Sequence, residues 1–350
     1  MEKEYRFKPG IGVDIGTANI VITRQTEDGS FINKFHRNML YPLDISDESS
    51  DLLDRGDYLY VKTNDKYYII GEDALNVCNA ISSNTNTIVR PMKDGILNPN
   101  LKESSDLLFY IIKAILGKPL VEKESLRFTC PANSINTDND NRFHQMILTN
   151  FFTQLGFTAK PMNEALGIVY STNPVMKSEG KDIPLTGIAM SWGAGMVNVV
   201  ACFKGLSTAE FSCTKSGDNI DEQVEKVTGI SRSKVVKVKE KTLDLDNVDM
   251  SDRVQAALSI YYDETIERIL FNINKQFREK KNEMDGEIEI VVAGGTSMAK
   301  GFIGRMEKIV KKTNLPFKIY QVRHSTNPFY AVAEGTCIRA MADHAKSQKQ

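Results

Sequence analysis

Apolar positions along the chain switch between a two-residue and a 3.6-residue period, and the switches mark its elements. Ile11, Val13 and Ile15, then Ile20, Val21 and Ile22, flank a turn of small residues, which predicts a β-hairpin. Residues 58–70 are β-branched and aromatic and predict a strand, while the acidic, Ser-rich stretch 43–57 predicts a surface loop. Leu107, Leu108, Ile111, Ile112 and Ile115 fall at helical spacing, so 106–116 reads as a helix packed on a sheet. Residues 126–130 read as a strand ended by Pro131, and 143–155 as a helix stopped by Gly156. Pro161 suits the first position of a helix over 162–170.

The polar stretch 172–184, with Pro174, Gly180 and Pro184, is the expected crossing between two halves. Strand-like runs at 187–190 and 196–203 flank a Ser-Trp-Gly-Ala-Gly turn. Helices are expected over 219–227 and, with long amphipathic spacing, over 254–279. The short apolar strand 288–292 runs straight into Gly294-Gly295. The pattern is of two α/β halves, each opening with a strand, a Gly-containing turn and a second strand.

Composition narrows the class without naming the chemistry. The 350 residues are 41% hydrophobic and 25% charged, enough for two ordinary folded domains. Formal net charge is -1, which gives no electrostatic case for nucleic acid or an anionic membrane. The five cysteines are scattered and form no CxxC pair, so neither a zinc site nor a disulfide framework is indicated. His36, His144, His324 and His344 have no ligand spacing. The N-terminal segment carries charges of both signs and no apolar core, so no targeting or spanning segment is expected.

Three glycine turns carry the candidate chemistry. Phosphates need close backbone approach and inward N–H groups, and glycine permits both. Asp14, Gly16 and Thr17, followed by Ala18 and Asn19, offer a carboxylate for a metal's water shell, turn amides and a hydroxyl. Ser191, Gly193, Ala194 and Gly195 repeat the strand-turn-strand context and fit around a β- or γ-phosphate. Gly294, Gly295, Thr296, Ser297 and Met298 follow a buried strand and precede an expected helix, a place for an anion or the flat face of a nucleoside. Each turn alone is a common hairpin or bulge. None fits GxxxxGK[ST] or GxGxxG, so a P-loop and a dinucleotide fingerprint are excluded.

Taken in order, these motifs resemble the actin superfamily, and most the bacterial actins MreB and MamK. GVDIGTANIVI resembles the first phosphate loop, IVRPMKDGI is very similar to an MreB-type segment, and AGGTSMAKGF looks like the adenosine loop. The resemblance runs from about Ile11 to Ala340. It implies an actin-like, ribonuclease-H-like two-domain ATPase fold, with ATP and Mg²⁺ in a cleft between duplicated sheets. The implied division is 1–160 and 161–350, the C-terminal helix returning to the first domain. It also implies head-to-tail self-association into cytoplasmic filaments, whose heterologous contacts do not close.

By the same resemblance, Gly217 and Asp218 open a helix on the nucleotide side, and Lys234 and Lys237 lie where the family binds the nucleoside. Lys234 and Lys237 equally suit a solvated basic face. Three positions depart from the family. Ser191 stands where the family has Asp, Met196 where Thr is usual, and Lys160 where MreB-type proteins carry a water-positioning Glu. Lys160 either reaches the γ-phosphate or points to solvent, and Glu164, one helical turn on, is the candidate to take over the water. Weak or lost hydrolysis is the expectation. A non-polymerising relative (a chaperone-like ATPase or an FtsA/PilM-like adaptor) is the alternative, and a sugar or acetate kinase would need a catalytic Asp that the sequence does not assign.

Overall fold

The structure is a computed structural model describing residues 5–81, 88–138, 140–171, 176–178, 181–278 and 286–349. Its frame is two five-stranded sheets of one plan. In the first, Ile11–Ile15, Asn19–Gln25 and Phe31–Arg37 form an antiparallel meander, and Ser125–Cys130 and Thr158–Asn163 add in parallel beside Ile11–Ile15. In the second, Gly187–Trp192, Met196–Phe203 and Leu206–Thr214 repeat the meander. Glu287–Ala293 and Lys318–His324 repeat the parallel pair. Strands buried on both faces are almost wholly apolar, as in Gly187–Trp192 and Met196–Phe203.

Helices Ser104–Leu116 and Arg142–Gln154 bury Leu107, Ile111, Ile112 and Phe152 in the first sheet's core. Helices Gly217–Thr228 and Arg253–Phe277 do the same for the second through Ile220, Val224, Tyr262, Ile266 and Ile269. Trp192 is fully buried in that core, edge-on to Phe302. All five cysteines are buried. No described helix is long and apolar enough to cross a membrane.

Two helices join the halves. Glu164–Ser171 packs Ala165, Ile168 and Val169 against the second sheet. Ala331–Ser347 lies on the first, where Gly12 has no room for a Cβ beside the Cys337 backbone. The two helices cross at Gly167 and Gly335, and a Cβ on Gly335 would overlap the Gly167 carbonyl.

Several expectations change. Residues 43–57 are not a loop: Asp47–Gly56 is a helix. Ser46 caps it by accepting from Ser49 N at 3.1 Å, Asp47 and Glu48 sit in its first turn, and Leu53 is buried. The single strand over 58–70 is a hairpin, Tyr60–Lys62 against Lys66–Ile70, turned by Thr63 N donating to Lys66 O at 2.8 Å. With Leu40–Asp44 it forms a small sheet that has its own core of Met39, Tyr41, Tyr67 and Ile69.

Pro161 opens no helix. It lies in Thr158–Asn163, an edge strand where its missing N–H costs no ladder bond, and so the first sheet continues past residue 160. The helix begins at Glu164 instead, where Asn163 Oδ1 accepts from Ala165 N at 2.7 Å. The expected crossing at 172–184 falls largely outside the described residues, apart from the paired strands Met176–Ser178 and Lys181–Ile183. The helix expected after the third glycine turn is Phe302–Lys312, whereas the strands Leu206–Thr214 and Lys318–His324 have no counterpart in the sequence reading.

The glycine crossing yields a direct test. Gly335→Ala is expected to cost about 3 kcal/mol or more, because its methyl group meets backbone that cannot move aside. Gly304→Ala, whose Cβ finds only ordinary contact with Asp246 on helix Phe302–Lys312, should gain up to about 1 kcal/mol from helix propensity. Urea unfolding of both variants checks the contrast, and equal midpoints would refute the tight crossing.

Candidate functional site

The first turn is set by its own backbone. Gly16 N donates to Asn19 O at 2.9 Å, and a Cβ on Gly16 would strike that oxygen. Asn38 Nδ2 holds Gly16 O at 2.9 Å. Asp14 is oriented from the neighbouring strand, where Thr129 Oγ1 donates to its Oδ1 at 2.9 Å and accepts from Ile15 N at 2.8 Å.

The second turn is pinned from the helix that follows it. Gly193 O accepts from Ser216 Oγ at 2.6 Å and from Thr296 Oγ1 at 2.8 Å, while Ala194 O accepts from Asp218 N at 2.7 Å. Gly195 lies against Thr17, with no space for a Cβ between them. The third turn rises from buried strand Glu287–Ala293. Gly294, at φ +98°, backs onto Trp192 and donates to Pro328 O at 2.9 Å. Tyr262 reaches the same turn, donating to Thr296 O at 3.0 Å.

The three turns open on one cleft of about 700 Å³ between the sheets. Asp14, Gly16, Thr17, Ala18, Asn19, Ser191, Gly193, Ala194, Gly195, Gly294, Gly295, Thr296 and Met298 all line it, and so does Glu164. Ser297 sits just behind, its hydroxyl donating to Gly294 O at 2.8 Å.

Lys160 is not among the lining residues. It is exposed on the edge strand of the first sheet, outside the cleft. Lys234 and Lys237 are likewise exposed, because helix Arg232–Lys241 turns its Val235 side inward. The same helix sends Lys239, Glu240 and Lys241 to the cleft, and the chain continues along it through Thr242, Leu243 and Asp244. The signal for Lys239 was available: it lies one turn beyond Val235, the buried position. Gly217 and Asp218 support rather than line the cleft. Gly217 is closed in by Thr296, and Asp218 pairs with Arg90 at 3.2 Å and Arg232 at 2.7 Å. Burial acts to raise the Asp218 pKa, but these guanidinium groups prevail and hold it below the usual carboxylate range.

Arg90 belongs to the IVRPMKDG segment, whose place is now explicit. Gly95 N donates to Thr17 Oγ1 at 3.0 Å, so this segment touches the first turn directly and the second through Asp218. The Thr17 hydroxyl accepts here and keeps its proton to donate. Among the described residues, Leu97 N also anchors the segment to buried His144 at 3.3 Å.

Glu164 is the residue whose standing changes most. It is the first residue of its helix, 8% exposed, and Ser191 Oγ donates to its Oε2 at 3.3 Å. Burial, then the nearby Asp14 charge, raises its pKa to about 8, against hydrogen bonds from Ser191 and Asn198. Burial likewise lifts Asp14 to about 6, opposed by Thr129. Two carboxylates with impeded ionisation at one end of a cleft are a setting that a cation relieves. The donors are all oxygen, which suits a hard, hydrated ion such as Mg²⁺. Among the described residues no group of three or more His, Cys, Asp or Glu is placed to hold a metal ion.

Comparison with known proteins places this architecture. No curated protein sequence matches the chain. Among solved structures, the MamK double helical filament is similar at 16% identity and a TM-score of 0.67, over 94% of this chain and 98% of that one. MreB5 of Spiroplasma citri bound to AMPPNP is similar at 15% identity and a TM-score of 0.67, over 98% of each chain. EutJ from Carboxydothermus hydrogenoformans is similar at 13% identity and a TM-score of 0.55, over 95% of this chain and 89% of that one. The fold is therefore the two-domain actin fold that these structures share. A family model matches residues 10–340, almost the whole chain, and on that match the protein belongs to the Volactin family.

Proposed function

We propose that the protein binds ATP with Mg²⁺ in this cleft and assembles head to tail into filaments. The observation that carries the reading is the convergence of two glycine turns from duplicated sheets, with Asp14 and Glu164, on one cleft. The similar MreB5 structures are of protein bound to AMPPNP and to ADP, and the similar MamK structure is of a filament. These support the reading by likeness of fold. We divide the chain after Asn163, with the last helix counted in the first domain, and place the filament in the cytoplasm.

Each residue then has a role. The Gly16–Asn19 and Gly193–Gly195 turns hold phosphates through backbone N–H groups, with the Thr17 proton as a further donor. Gly294–Met298 and the wall from Lys239 to Asp244 hold the nucleoside. Asp14, fixed by Thr129, holds the metal's water shell, and Mg²⁺ when bound offsets phosphate charge. Glu164 takes the proton of the attacking water, steadied by Ser191. Ser191 brings a hydroxyl and no charge, so we infer slow hydrolysis. That inference rests on Ser191 and the impeded ionisation of Glu164, not on Lys160, which lies outside the cleft.

Electron microscopy of the purified chain with and without ATP tests assembly. Filaments that appear with the nucleotide are expected, and their absence across salt and nucleotide conditions would favour a non-polymerising relative. Asp14→Ala should weaken binding of a non-hydrolysable ATP analogue in Mg²⁺ about 10–100-fold by calorimetry. Phosphate release should be slow and should vanish in Glu164→Gln; release surviving in that variant removes Glu164 from the chemistry.

A stability measurement examines Glu164 independently of nucleotide. In the folded chain it keeps its proton up to about pH 8, whereas the ordinary value is 4.5. The folded state therefore binds more protons between those limits, and stability falls as pH rises through them. Glu164→Gln should leave stability unchanged near pH 4.5 and raise it by about 2–4 kcal/mol at pH 8 in chelator. Urea midpoints that coincide at pH 8 would contradict the buried placement.

A further inference from the structure

The cleft is bridged by a guanidinium fork. Arg37 stands on the edge strand of the first sheet, directly opposite Asn19 of the first turn. Its Nε pairs with Glu72 of the first half. Its Nη2 reaches across to Glu240 Oε2 of the second half at 3.2 Å. Arg37 and Glu240 both line the cleft, so the bridge lies on the wall that a ligand passes.

Each end of the bridge is tied to a glycine turn. On the first side Asn38, the next residue, holds Gly16 O with its side chain and donates its own N–H to Ala18 O at 2.8 Å. On the second side Lys239, next to Glu240, pairs with Asp221 at 2.6 Å and donates to Gly217 O at 3.3 Å. Gly217 and Asp218 in turn hold Gly193 O and Ala194 O. The Arg90–Asp218 pair forms an inner bridge between the same two halves.

We propose that Arg37–Glu240 is an ionic latch that holds the two halves together across the cleft and sets the rate at which a bound nucleotide leaves. The rate part rests on the ATP-binding reading above; the closure part does not. Release requires the halves to part, and parting separates Arg37 from Glu240 while leaving its pair with Glu72 intact. The Arg side chain is thus kept poised to reclose. Arg37 is 21% exposed and Glu240 44%, so the pair is screened by solvent and its contribution is modest and salt-dependent.

The test uses the full chain with Lys34→Cys and Lys237→Cys, both exposed, carrying spin labels; the native cysteines are buried. The unaltered latch should give a short, narrow interspin distance. Glu240→Gln and Arg37→Gln should lengthen and broaden it, as should about 0.5 M salt, where screening reaches a few ångström. The exchanged pair Arg37→Glu with Glu240→Arg should restore it. Release of a fluorescent ATP analogue, followed by stopped flow, should be about fivefold faster in either single variant at low salt. Distances unchanged in both single variants overturn the latch. Wider distances with unchanged release overturn its control of exchange. A parent chain that binds no nucleotide sinks the ATP reading instead, an outcome distinct from an unmoved distance.

Discussion

Two helices meet backbone to backbone at Gly167 and Gly335, and the geometry of the cleft follows from that contact. A helix pair separated by ordinary side chains sits 8–10 Å apart. Here glycine on both sides brings the axes closer, and each helix lies against a different sheet. The crossing therefore fixes the distance between the sheets, and with it the gap between the Gly16 and Gly193 turns. It also fixes Glu164, which lies one turn before Gly167 on the same short helix.

That placement has an energetic consequence. A helix N-terminus favours a carboxylate by roughly 0.3–1 kcal/mol. The lift of Glu164 from 4.5 to about 8 corresponds to a larger opposing effect, so burial prevails over the dipole. A folded chain that spends stability to bury an ionisable carboxyl beside a second one has broken a local rule at one place. Such conflicts concentrate where a protein acts on something else.

The duplicated plan was legible in the sequence because its signals are local. A strand, a small-residue turn and a second strand lie within a dozen residues, and the turns at Gly16, Gly193 and Gly294 all reach one cleft. The misassigned residues turn on non-local facts. Pro161 is acceptable both at a helix start and on a sheet edge, and only the parallel pairing with Ser125–Cys130 decides between them. That shift of three residues leaves Lys160 exposed on the edge strand and puts Glu164 at the helix start, lining the cleft. Lys234 and Lys237 are separated from Lys239 only by which face of Arg232–Lys241 meets the core, and Val235 settles that through packing from distant elements.

IVRPMKDG shows how a segment can be specific without carrying chemistry. Arg90 meets Asp218, Gly95 meets Thr17, and Gly95, at φ +79°, holds a backbone conformation that suits glycine, against the Met196 side chain. One short stretch of the first half thus ties the Gly16 turn to the Gly193 turn, and any change in the gap between them must disturb it. Asp218 is held ionised by Arg90 and Arg232 together, whereas Asp14 and Glu164, a few residues away in space, are not. The carboxylates that brace the cleft have their cations within the chain. Glu240 and Asp244 on the cleft wall have theirs too, in Arg37 and Lys300, and Asp14 and Glu164 stand apart as the two carboxylates whose ionisation burial impedes.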